Sequence, residues 1–221
     1  MTTLINQPRV GRPALLKRYT RRDIIKIALD LIYGAWPHVC KRADIDGTCS
    51  EPKIAGALYK ELWNERKRRK LKGPPYISDE AASRSTEVLL IPDGWIDFKL
   101  IYDFDCEEAY FSIECKRVSG TDTGLADKYV KEGVIRFTSG KYARKHDWAA
   151  MLGFVIDSDS AGSTSLIQAR LSRDPSETSI IGSWAVEKGF GKFSNLYRSR
   201  HRPPHKARVY LNILHIFLDM S

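Results

Sequence analysis

The sequence has few cysteines. Cys40, Cys49, Cys106 and Cys115 are the four in 221 residues, and no two form a Cys-x-x-Cys pair. That spacing excludes a zinc ribbon and a disulfide framework. His38, Cys40 and Cys49 lie close in sequence but lack an obvious fourth ligand, so a zinc site is not expected there. Isolated thiols suit a reducing compartment. Apolar runs are short as well. None reaches the ~18 residues of a membrane-crossing helix; the longest candidate, 209–218, contains Asn212 and His215. The N-terminal residues show no apolar signal segment, and internal repeats and low-complexity tracts are lacking. A cytoplasmic protein is expected.

What the chain does have is positive charge. Lys and Arg number 36 against 27 Asp and Glu, a formal net charge of +9, while 43% hydrophobic residues suffice for a packed core. The charge is clustered, which favours a polyanionic partner: DNA first, with RNA not distinguished. Arg66, Lys67, Arg68, Arg69 and Lys70 exceed what a helix C-terminus needs and form a candidate phosphate-contacting patch. Arg136, on a later basic helix, and Arg200 and His201, in a basic stretch expected to be a loop (197–205), are further candidates. Residues 1–19 read as a basic arm, in which Gly11-Arg12-Pro13 resembles the core of an AT-hook.

Thr20 and Asp23 form a capping-box pattern ahead of Ile24, Ile25, Ala28, Leu31 and Ile32, which recur at helical spacing; Gly34 and Pro37 are expected to end that helix. Ser50 should cap a second helix with Ile54, Leu58 and Leu62 buried. Residues 76–86 are polar, at most a short helix. Strands are expected at 87–91, 95–104, 109–118, 148–156 and 180–186, and helices at 125–142 and 164–170, with Gly133 weakening the first of the two. Residues 209–218 are apolar on both faces and suit a central strand. The order implies an α/β fold, a mixed sheet flanked by helices, with residues 1–46 as a basic arm and N-terminal helix and 47–221 as the main domain.

The stretch 95–118 carries the chemistry. Glu-x-Lys occurs at Glu51, Glu65 and Glu114, and the first two sit on a helix that reads as surface. Only Glu114-Cys115-Lys116 lies inside an apolar strand, where an unpaired charge is costly. Strand parity puts Glu114 and Lys116 on one face and Asp97 on one face of the preceding strand. A two-residue turn at Asp105-Cys106 sets Asp97 opposite Glu114, and one at Cys106-Glu107 sets it opposite Lys116. Either register gathers Asp97, Glu114 and Lys116. Two carboxylates beside a backbone carbonyl suit a hard cation such as Mg²⁺ or Mn²⁺.

Asp97, sixteen residues, then Glu114-Cys115-Lys116 resembles the PD-(D/E)xK nuclease superfamily, the restriction-endonuclease-like fold. The resemblance implies an αβββαβ core over roughly residues 50–156, behind an N-terminal helical extension. It implies metal ligation by Asp97, Glu114 and the carbonyl of Cys115, and catalysis by Lys116 together with the two acids. Asp93 rivals Asp97. Many members add an acid from the first core helix, for which Glu61, Glu65, Glu80 and Glu87 compete. The expected activity is Mg²⁺-dependent hydrolysis of DNA phosphodiesters, in restriction or antiviral defence or as the nuclease subunit of a larger complex. The alternative is a non-catalytic nucleic-acid-binding or scaffold subunit that keeps the fold. Since no sequence-reading module follows the arm, a partner protein, a second copy of the chain or substrate structure is expected to aim it.

Overall fold

The computed structural model describes residues 19–83, 94–103, 109–182, 184–206 and 209–220, without the side chains of 80–83, 94 and 95. The basic arm, the strand expected at 87–91, the Pro92-Asp93-Gly94 turn and the turn around Cys106 lie at least partly outside these residues.

Helix α1 spans Arg21–Cys40. Its capping box forms as expected: Thr20 Oγ1 accepts from the Asp23 amide and Asp23 accepts from the Thr20 amide. The helix does not end at Gly34. A Cβ at residue 34 would meet Glu65 Oε1 at 2.5 Å, so glycine here admits helix α2 (Glu51–Arg68) to close contact. Pro37 is carried in the last turn. Trp36 and Val39 are buried around it, and the Trp36 indole N–H bonds the Asp219 carbonyl at 2.6 Å. That tertiary packing outweighs the cost of a proline inside a helix, about 3 kcal/mol.

Seven strands follow: β1 (Tyr76–Ser83), β2 (Gly94–Ile101), β3 (Tyr110–Val118), β4 (Trp148–Val155), β5 (Ala185–Val186), β6 (Leu196–His201) and β7 (Leu211–Asp219). They form one mixed sheet in the order β1-β2-β3-β4-β7-β6-β5, parallel between β3, β4 and β7 and antiparallel elsewhere. The expectation of an α/β mixed sheet flanked by helices is met. Residues 76–83, expected to be irregular or helical, are an edge strand paired to β2 alone. Its polar residues are what an edge tolerates and what made it read as a loop. The expected loop at 197–205 begins as β6, because Leu196, Ser199 and His201 point inward. The strand expected at 180–186 shrinks to β5. β7 lies inside the sheet and is buried along most of its length, as its uniformly apolar pattern implies.

One core lies between α1, α2 and one sheet face, and includes Phe98, Phe111, Ile113 and Cys115. The N-terminal helix thus shares a core with the rest of the fold. A second core lies on the other face under α3 (Thr123–Tyr129), a π-helical turn (Val130–Val134), α4 (Ile135–Thr138) and α5 (Ser160–Arg173). Short α6 (Pro175–Thr178) follows. Gly133 lies in the π turn, where a Cβ would strike Met151 Cε at 2.2 Å. The regular α-helix gives way to the π turn around this glycine, and the bare Cα leaves room for the tip of the Met151 side chain.

Among the described residues no helix is long and apolar enough to cross a membrane.

Candidate active site

The site is built where two strands part. β2 and β3 pair from Ile101–Tyr110 to Phe98–Ile113, the register that sets Asp97 beside Glu114. Beyond Phe98–Ile113 the ladder stops. Amides on one edge of a strand belong to alternate residues, so Cys115 and Arg117 are left without a strand partner there. Carboxylates replace the missing strand. Asp97 Oδ2 accepts the Cys115 N–H at 2.6 Å, and Glu51 Oε2 accepts the Arg117 N–H at 3.1 Å.

Glu51 is the residue that sequence reasoning missed. It is the first residue of α2, next to Ser50, which holds the N-cap position but makes no side-chain capping bond, and it reaches the unpaired edge of β3. Its Oε1 also holds the Lys116 ammonium at 2.9 Å. The available signal was position: an acid in the first turn of a helix is fixed by the helix terminus and can be aimed. The favoured rivals are spent elsewhere. Glu61 bonds Asn64, and Glu65 is paired with Arg68 and Arg69. At about 1.5 Å rise per residue they stand roughly 15 and 21 Å along the helix from Glu51. Glu87, Asp93 and the side chain of Glu80 lie outside the described residues.

Lys116 is the hub. Its ammonium donates to Glu51 Oε1 at 2.9 Å, Glu114 Oε1 at 3.0 Å and the Cys115 carbonyl at 2.7 Å. Arg136, reaching in from α4, donates to the same Glu114 Oε1 at 3.1 Å and to the Tyr142 hydroxyl at 2.9 Å. Glu114 is 2% exposed, and its second oxygen, Oε2, is buried with no protein partner. Ser112 Oγ, two positions down the same strand face, is likewise unpartnered.

The electrostatics follow from this crowding. Burial pushes the Glu114 carboxyl up to about 7; Lys116 and Arg136 oppose that rise and Asp97 adds to it. Burial also raises Asp97, against the Cys115 amide and Lys116. Burial alone would lower Lys116, but Glu114 and Glu51 reverse this and hold it above the ordinary lysine value. Three carboxylates face two cations in a half-closed fork, and Glu114 Oε2 is left buried and unmatched.

The donor set fits a hard divalent cation in kind. Asp97 and Glu114 offer oxygen alone, and the orphaned Glu114 Oε2 is a desolvated acceptor without a proton donor. Among the described residues no three His, Cys, Asp or Glu side chains form a ready metal cage. The Cys115 carbonyl, expected as a ligand, is occupied by Lys116.

The expected nucleic-acid contacts divide. Lys67, Arg68, Arg69 and Lys70 are exposed at the end of α2, though Arg68 and Arg69 also pair with Glu65. Arg66 is 7% exposed and donates to the carbonyls of Gly73 and Pro75, pinning the segment that leads into β1. Arg200 is exposed, stacked on Tyr210. Arg136 belongs to the carboxylate site.

His201 is fully buried in a hydrogen-bonded chain. The Thr178 carbonyl can only accept, so His201 Nδ1 donates to it at 2.8 Å. Neutral Nε2 then accepts from Ser199 Oγ at 2.6 Å, Ser199 accepts from His215 Nε2 at 2.7 Å, and His215 Nδ1 accepts from the Tyr129 hydroxyl at 3.0 Å. One proton arrangement satisfies every member, and it requires both histidines neutral. Burial lowers His201 to about 4 and His215 well below its ordinary value. His215 is thus the satisfied core histidine that its strand position suggests.

Comparison of the chain with protein-family models, with curated proteins and with solved structures finds no match in any of the three.

Proposed function

We propose that the chain is a Mg²⁺- or Mn²⁺-dependent endonuclease that hydrolyses DNA phosphodiesters, built on a restriction-endonuclease-like core. The observation that carries this is the fork between β2 and β3, which gathers Asp97, Glu114 and Lys116 and leaves Glu114 Oε2 buried and unmatched. The order α2-β1-β2-β3-α3-β4 agrees with an αβββαβ core. A net charge of +9 and the exposed Lys67, Arg68, Arg69, Lys70 and Arg200 supply phosphate attraction.

Asp97 and Glu114 would hold the cation. When bound, it would polarise the scissile phosphate and lower the pKa of a coordinated water. Lys116 keeps a full positive charge at neutral pH, next to both acids, and is placed to neutralise charge building on the phosphate. Glu51 fixes the Lys116 ammonium from the other side, and Arg136 orients Glu114. Asp97, bound to the Cys115 amide, ties the acid of β2 to the strand that carries the other two groups. A partner subunit or a second copy of the chain would aim the cut, in the cytoplasm and in a defence setting.

The test is to incubate supercoiled plasmid, single-stranded DNA and RNA with the protein in Mg²⁺ and in EDTA, beside Glu114→Ala. Metal-dependent nicking of DNA that the variant lacks is expected. Equal behaviour of wild type and Glu114→Ala would sink the assignment. Salt-sensitive binding to DNA without any cleavage would point to a non-catalytic subunit instead.

A further inference from the structure

We propose that a second site, on the α1 side of the sheet, binds a nucleoside 5′-phosphate. A cavity of about 280 Å³ opens between the first turn of α1, the start of β4, β6 and the loop after β5. Arg21, Arg22 and Arg198 line it together with Trp148, Phe190 and Glu187. The volume falls just under the roughly 300 Å³ at which ligand pockets begin, which limits the occupant to one nucleotide.

The cavity lining carries more positive than negative charge, three arginines against Glu187. Arg198 pairs with the buried Glu187 at 3.2 Å, and Arg21 pairs with Asp147. Arg22 donates to the Gly189 carbonyl, a neutral partner, and lies 5.5 Å from the Phe190 ring centroid. Its guanidinium is held in place, and among the described residues no carboxylate forms an ion pair with it. Three planar guanidiniums from two separate elements offer the forked donors that phosphate takes best. The α1 N-terminus adds partial positive charge.

The walls suit a base. Trp148 and Phe190 meet edge to face at 5.5 Å between centroids, so two ring systems border the arginines. Aromatic surface beside arginine binds nucleobases by stacking, whichever base is offered. Neither inorganic phosphate nor a nucleoside would use both halves. The site is separate from Glu114 and Lys116, which share a strand parity with Val118 of the second core, whereas Trp148 and Phe190 pack with the first. It stands whether or not the fork cuts DNA.

The shared chemistry has two sources, a free mononucleotide or the 5′-phosphorylated end of a strand. Calorimetric titration of the full chain in EDTA, where no cleavage occurs, tests it with AMP, adenosine, ribose 5-phosphate and inorganic phosphate. AMP is expected to bind at millimolar or tighter Kd, with each fragment at least about tenfold weaker. Arg22→Ala should weaken AMP about tenfold, and so should Arg198→Lys, which keeps a charge against Glu187 but loses the fork. Absence of AMP binding at millimolar concentration overturns the proposal, and so does unchanged affinity in both variants. A 5′-phosphorylated oligonucleotide that binds more tightly than AMP, and loses that advantage both in Arg22→Ala and without its phosphate, identifies a strand end as the occupant. AMP binding at least as tightly identifies a free nucleotide.

Discussion

Two buried polar clusters lie in this sheet, and they are finished to different degrees. The chain from Tyr129 through His215, Ser199 and His201 to Thr178 matches each donor to one acceptor. The fork around Glu114 does not. There a carboxylate shares one oxygen between Lys116 and Arg136 and leaves the other with nothing. A buried polar group that is satisfied rigidifies a core, whereas one left unsatisfied costs stability and calls for another reason. The first cluster is therefore read as architecture and the second as a site kept open for a ligand.

Exchange of one residue in each cluster gives the largest contrast. Glu114→Gln should lower metal-dependent cleavage by roughly a thousandfold or more, since it removes the charge that would hold the cation. In EDTA the same change should raise the thermal midpoint, because the buried carboxylate is raised from 4.5 to about 7 and so is strained in its ionised form at pH 8. Ser199→Ala should do the reverse. It leaves two buried histidine nitrogens unpaired and should cost about 1–3 kcal/mol, with cleavage little changed. Cleavage gels and urea titrations of both variants check this. Loss of activity in Ser199→Ala at a temperature where it remains folded would erase the distinction.

The two clusters also differed in how far the sequence disclosed them. Asp97, Glu114 and Lys116 were legible because period-two alternation places them without knowledge of the rest of the fold. The register was legible to within two choices, and pairing of Phe98 with Ile113 selects one. Glu51 was not legible. Its contact with Lys116 spans 65 positions and depends on β2 parting from β3, which no local pattern announces. Arg66 and His201 were misjudged for a related reason. Charge and polarity suggest exposure, but carbonyls at Gly73 and Pro75 absorb the first and a hydrogen-bonded chain absorbs the second. The mixed sheet and its interior strand β7 followed from apolar runs, while the polar edge strand β1 gave no such signal.

Glu51 also offers a subtler comparison. It touches Lys116 and a backbone amide, so under the proposed function its effect would be exerted through the lysine. Glu51→Gln keeps the hydrogen-bonding shape and removes the charge. A loss of about 10–100-fold in kcat is expected, the range for groups that orient others, with KM for DNA little moved. The alkaline limb of the pH–rate profile should shift to lower pH, because one of the two acids holding Lys116 protonated is gone. A purely structural role for Glu51 would leave that limb in place. An effect as large as that of Glu114→Gln would make it a direct ligand.

The smallest expected effect is in the pH dependence of stability, where the two clusters pull in opposite directions. His201 titrates near 4 when folded and at its ordinary 6.5 when unfolded. Between these values the unfolded chain binds the extra proton, so its contribution is full above pH 6.5 and is lost as pH falls towards 4. His215, lowered by the same burial, adds to this. Glu114 is raised from 4.5 to about 7, so the folded chain holds the extra proton there; its contribution is full below pH 4.5 and is lost as pH rises through 7. Each could reach on the order of 3 kcal/mol at about 1.4 kcal/mol per unit. In EDTA the wild type should therefore rise only shallowly between pH 4.5 and 6.5, as Glu114 offsets part of the rise that His201 and His215 produce. Glu114→Gln should rise steeply with pH across that window. His201→Gln, which keeps a donor and an acceptor in the chain, should be flatter than the wild type, and urea denaturation at fixed ionic strength compares the two variants directly. Parallel profiles for the two variants would show that burial sets neither titration as described.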